Sequence, residues 1–157
     1  KIFRVGPYVI GISGMISHAT VLRYRFDPPV PSNDTDPEQF IATVFVDALR
    51  MALDQAKMIS YEDGVARIGT SDEHSRFLVA FGSHLFLIES SFSVIAPVHP
   101  YLCLGIGAEI AYGAMFATEH DPDHLRRAIR AVEAACAFST SCSGPVITLT
   151  TDPIKDD

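Results

Sequence analysis

The sequence predicts an α+β fold, and three observations predict it. Strand-like stretches fall in blocks, at residues 2–14 and 76–104, rather than alternating one by one with helices. Two Asp-Pro steps, Asp36-Pro37 and Asp121-Pro122, each open a stretch with helical spacing. Two glycine turns, Gly6-Pro7 and Gly82-Ser83, are flanked by β-branched and aromatic residues.

The first block reads as two strands around Gly6-Pro7, with Ile2, Phe3 and Val5 before the turn and Tyr8 to Gly14 after it. Residues 15–24 suit a short helix with Met15, Ala19, Val21 and Leu22 on one side. The stretch 26–36 holds Pro28, Pro29 and Pro31, and proline can neither donate the helical N–H nor clear the preceding turn. It is expected to be a loop inside one domain, because neither side alone carries a full core.

Asp36 then caps a helix, Pro37 fits its first turn and Glu38 favours the positive dipole end. Ile41, Val44, Phe45, Ala48, Leu49, Ala52, Leu53 and Ala56 form its predicted inward stripe, ending near Lys57. Arg76–Phe81 and His84–Glu89 form a hairpin around Gly82-Ser83. Phe92–Ile95 and Pro100–Leu104 are two further expected strands. A small-residue helix spans Gly107–Thr118. The next is capped by Asp121, with Leu125, Ala128, Ile129, Val132 and Cys136 inward and Arg126, Arg127 and Arg130 outward. Val146–Thr150 alternates like a late strand, and 152–157 is a polar tail.

Composition narrows the function classes. With 48% hydrophobic residues in 157, the chain can bury one core, which excludes global disorder. A net charge of −7 argues against a nucleic-acid surface. No apolar run is long enough to span a bilayer, so no membrane partner is expected. The three cysteines form no Cys-x-x-Cys, which favours a reducing, cytoplasmic compartment and gives no metal or redox motif.

Few motifs carry chemistry by themselves. His120 and His124 have i, i+4 spacing, but the helix start at Asp121-Pro122 separates them, so no metal and no other cofactor is expected. Gly11-Ile12-Ser13-Gly14 has the wrong spacing for a nucleophile elbow. Gly105-Ile106-Gly107 lacks the remainder of a phosphate loop. By residue chemistry alone, Lys1 reads as a surface lysine and Gly14 as a turn glycine.

The order of segments goes further. Lys1 to Gly14 (KIFRVGPYVIGISG), Pro100 to Ala114 (PYLCLGIGAEIAYGA), the charged helix ending Ala-Ala-Cys-Ala-Phe, and Ser141-Cys142-Ser143-Gly144-Pro145 resemble, in order, the proteasome subunits and their simpler bacterial peptidase relative. The resemblance implies an N-terminal-nucleophile hydrolase fold, a four-layer α-β-β-α sandwich of two stacked sheets between helices. It implies a threonine-type endopeptidase, in which a hydroxyl attacks a peptide carbonyl and its own amine is the base. Lys1 matches the lysine that favours the ionised hydroxyl, and Gly14 the glycine whose N–H helps form the oxyanion hole. Ser143 matches a serine near the nucleophile. Ile16 falls where backbone pairs with an extended substrate, and Ile12 and Thr20 fall near the substrate side-chain pocket. The implied partners are peptide or unfolded-protein substrate, copies of the chain in a homo-oligomeric ring and a separate ATPase.

The chain also departs from the pattern. Ile106 stands where the family has the Gly-Ser-Gly serine, and Thr140 or a neighbour where it has an aspartate. Residues 1–157 are expected to be a single domain without the family's first strand pair, which carries the nucleophile and the lysine's acidic partner. Two alternatives stand beside the peptidase: a non-catalytic structural or assembly protein of the same fold, and a hydrolase of small amides.

Overall fold

The computed structural model describes residues 1–70 and 73–151; the expected polar tail lies outside the described residues. Two compact units are present, one of Lys1–Val98 with the stretch from Leu149, the other His99–Thr148.

The first unit is built on a five-stranded antiparallel sheet with Ile2–Val5 at one edge and Val94–Ile95 at the other. β1 (Ile2–Val5) and β2 (Tyr8–Ser13) turn at Gly6, whose φ of 53° a residue with a Cβ rarely adopts. β5 (Arg76–Phe81) pairs with β2 and, through the Gly82 turn, with β6 (His84–Ile88). Alternation puts Phe3, Val5, Tyr8, Ile10, Ile12, Phe77, Val79, Phe81, Phe86 and Ile88 in one core. The register aligns them across strands, as in Phe3↔Ile10, Ile10↔Val79 and Val79↔Phe86.

α1 (Ile16–Tyr24) brings Val21 and Leu22 to this core. The expected loop follows, and the buried Tyr8 hydroxyl donates to the Pro29 carbonyl at 2.6 Å, tying the prolines to the sheet. Burial pushes the Tyr8 phenol up to about 12, so it remains a donor.

Asp36 caps the next helix as expected, accepting from the Gln39 N–H at 2.7 Å. That helix is not uniform. α2 (Pro37–Phe40) passes through a π-helical turn, Ile41–Phe45, into α3 (Val46–Gln55). A π turn holds an extra residue and rotates everything after it. Val44, expected inward, is therefore 47% exposed, while Val46 is buried. Phe45, Leu49 and Leu53 are fully buried, each worth roughly 1.5–3 kcal/mol.

The sequence reading names no strand between residues 58 and 70, yet a two-stranded sheet forms there. β3 (Ile59–Glu62) and β4 (Val65–Ile68) form a hairpin at Asp63-Gly64, both with positive φ. Asp-Gly is the sequence signal for this turn. The expected strand Phe92–Ile95 shrinks to β7 (Val94–Ile95), because Phe92 takes a φ of 67° and donates its N–H to Glu89 in a turn. Neither 100–104 nor 146–150 forms a strand: among the described residues neither has a ladder partner. Instead the Thr150 carbonyl accepts from Arg4, and the Thr151 hydroxyl donates to the Gly82 carbonyl.

The second unit holds α4 (Ala108–Ala117) and α5 (His124–Phe138). The cap of α5 is Asp123, accepting from the Arg126 N–H, rather than Asp121. Asp121 instead accepts from the Asp123 N–H and the Arg126 guanidinium, which holds its carboxyl down to about 2. The inward face of α5 is Arg127, Ala131 and Ala135; Leu125, Ala128 and Val132 are exposed, and Ile129 and Cys136 half-buried. The reason is close approach: a Cβ on Gly107 would lie 2.8 Å from the Ala135 Cβ and 2.9 Å from the Cys142 Sγ. Only small side chains fit facing it. Arg127 is thus inside, against expectation, donating to the Met115 carbonyl at 3.0 Å with its guanidinium 5.8 Å from the Tyr101 ring centre.

Candidate active site

The end of β2 gathers a connected polar network. The Lys1 carbonyl accepts from the Ile12 N–H at 2.9 Å, so the sheet itself fixes the lysine beside the strand end. The Lys1 Nζ then donates to the Gly14 carbonyl at 3.1 Å. Two residues singled out from the sequence, 13 positions apart, therefore meet.

Gly14 has a φ of 113°, outside the usual range of other residues. A Cβ there would lie 2.3 Å from the Ser75 Oγ and 2.6 Å from the His74 carbonyl oxygen. The glycine is required for both conformation and space. The antiparallel pairing Ser13↔Arg76 brings Ser75 opposite it.

Ser75 is fully buried and continues the network. Its Oγ accepts from the Met15 N–H at 3.0 Å and lies 2.8 Å from the His18 Nδ1. His18 is 1% exposed and also bonds the Met58 backbone. Burial lowers its pKa, opposed by that bond and by the charge of Glu73. Ser75 and His18 have the separation of a nucleophile and its base, but both are sealed from substrate. Sequence reasoning missed them. His18 left one signal, a polar residue on the same helix face as Leu22, which must find a partner when buried. Ser75 left none, since only the register places it.

Ile16 is 60% exposed at the start of α1, and Thr20, also exposed, donates its hydroxyl to the Ile16 carbonyl. Ile12 is buried in the core. Ser143 belongs to the second unit and is exposed there; Ile106, in the same unit, is 75% exposed. The thiols of Cys103, Cys136 and Cys142 are free, and burial pushes Cys103 up to about 11, leaving it protonated and unreactive at neutral pH. Among the described residues no cluster of three or more His, Cys, Asp or Glu could hold a metal ion, and no helix is long and apolar enough to cross a membrane.

No family model matches the chain, and no curated protein matches it in sequence. Solved structures do match in fold. BPH of Thiobacillus denitrificans, known alone and in complex with epoxomicin, aligns with a TM-score of 0.71 at 24% identity, over 92% of this chain and 75% of its own. Eukaryotic HslV from Trypanosoma brucei aligns with a TM-score of 0.54 at 19% identity, over 87% of this chain and 72% of its own. At these identities the likeness shows the fold alone, which this chain shares with BPH and HslV.

Proposed function

We propose that this chain is a subunit of a threonine-type endopeptidase and supplies the lysine and the oxyanion glycine of its active site. The observation that carries the reading is the 3.1 Å bond from the Lys1 ammonium to the Gly14 carbonyl, at a glycine no other residue can replace. The nucleophile this reading calls for is the N-terminal threonine of the mature protein.

Its hydroxyl adds to the substrate carbonyl while its α-amine takes the hydroxyl proton. The Lys1 charge favours the ionised oxygen, and the Gly14 N–H stabilises the oxyanion that forms. Collapse breaks the peptide C–N bond, the leaving amine receives the proton, and water then hydrolyses the acyl ester. Ile16 and Thr20, exposed on α1, are the substrate-binding positions, with Ile12 buried in the strand that leads to them. Ser143 is assigned to assist the nucleophile. The full fold of this reading is the four-layer α-β-β-α sandwich, two stacked sheets between helix layers. The partners are peptide or unfolded protein, further copies of the chain in a homo-oligomeric ring, and a separate ATPase, all in the cytoplasm.

Mass spectrometry of the mature N-terminus, followed by peptide hydrolysis by the wild type and Lys1→Ala, tests this. A terminal threonine and a loss of turnover of about 100-fold or more in a folded variant support it. A mature chain starting at Lys1, or unchanged turnover, overturns it.

A further inference from the structure

The Gly14 carbonyl and the Met15 N–H belong to one peptide unit, and that unit is held at both ends. Its oxygen accepts from the Lys1 ammonium at 3.1 Å, and its N–H donates to the Ser75 Oγ at 3.0 Å. Because Ser75 Oγ accepts there, its own proton is available to the His18 Nδ1, 2.8 Å away. The Met58 backbone bond favours the protonated ring, as a carbonyl acceptor does, and with Nδ1 at Ser75 it falls to the other ring nitrogen. A consistent placement of the protons is Met15 N–H to Ser75, Ser75 O–H to His18 Nδ1, and His18 Nε2–H to Met58.

We infer that Ser75 and His18 are positioning residues for Lys1, acting through the Gly14–Met15 peptide. A peptide plane can rotate about its flanking bonds, and glycine on one side gives it little resistance. Ser75 removes that freedom by fixing the N–H, and His18 removes the freedom of Ser75 by fixing its hydroxyl. The carbonyl therefore points one way and holds the ammonium at one place. Hydrogen bonds in series also polarise one another, so the carbonyl is a stronger acceptor than it is alone. The packing of Ser75 Oγ against the missing Cβ of Gly14 adds a steric lock to the same unit.

The significance for catalysis rests on the peptidase reading, but the geometry is testable without it. NMR of the full protein reads it directly. In the wild type, the His18 ring should show Nδ1 unprotonated and accepting, with Nε2 protonated; the opposite tautomer overturns the assignment. In Ser75→Ala and His18→Ala, exchange of the Met15 amide should accelerate about tenfold or more, and the Lys1 side-chain resonances should shift. His18→Asn, whose side-chain oxygen replaces Nδ1 as acceptor, should restore the Met15 and Lys1 signals. Folded alanine variants with unaltered Met15 exchange and Lys1 resonances overturn the proposal. Where wild-type hydrolysis is measurable, the alanine variants should lower kcat with KM little changed. A wild type without hydrolysis refutes the peptidase reading and leaves the resonance test standing.

Discussion

The two units solve the same problem with different materials. The first buries large side chains, with Phe45, Leu49, Leu53, Phe77 and Ile88 at 0% exposure. The second buries Ala111, Met115, Ala131 and Ala135 around one arginine, while Tyr112, Phe116, Leu125, Val132 and Phe138 stay exposed. An amphipathic stripe says that a face can be buried, not what buries it. In the first unit the sheet lies under the predicted helix face. In the second, the closest partner of α5 is α4, and close approach at Gly107 selects alanines over the larger residues of the stripe.

The comparison can be broken at four points, in falling order of effect. Phe45→Ala empties the centre of the first core and should cost about 3–5 kcal/mol in urea unfolding. A cost near zero would mean that this core is not the stabilising one. Arg127→Ala removes the closer donor to the Met115 carbonyl, leaving only the Thr118 hydroxyl at 3.4 Å, and should cost about 1–3 kcal/mol, with faster amide exchange at the end of α4. Unchanged exchange would place that arginine outside the helix contact.

The third point is pH. His18 is lowered from 6.5 by burial, so below that value the unfolded chain takes a proton that the folded chain resists. Its contribution is complete above 6.5 and is lost as pH falls through the folded value. Thermal scans should show the wild type losing stability over this window relative to His18→Asn. Parallel pH profiles would contradict the sealed network. The smallest effect belongs to α5: Leu125→Ser and Val132→Ser should each shift stability by no more than about 0.5 kcal/mol. Losses of several times that would restore the face read from the sequence.

Much of the first unit was legible in the sequence because its signals are local. Gly6-Pro7, Gly82-Ser83 and Asp36-Pro37 specify turns and a cap from a few adjacent residues. Asp63-Gly64 carried the same kind of signal for the β3–β4 hairpin and was not read. The π turn left no mark in a regular periodicity, so Val44 and Val46 exchange places. The expected strands at 100–104 and 146–150 show the limit of alternation, since a strand also needs a neighbour. At the site, Lys1 and Gly14 came from the resemblance and meet in the structure. Ser75 could not be read, because its role exists only in the register Ser13↔Arg76.

The peptidase reading is tested most directly by exposing the mature protein to an epoxyketone such as epoxomicin and weighing it intact. A nucleophile of the proposed kind should yield one stoichiometric adduct at the N-terminal residue, formed far more slowly in Lys1→Ala. An unmodified mass for the folded wild type after prolonged exposure would contradict the account.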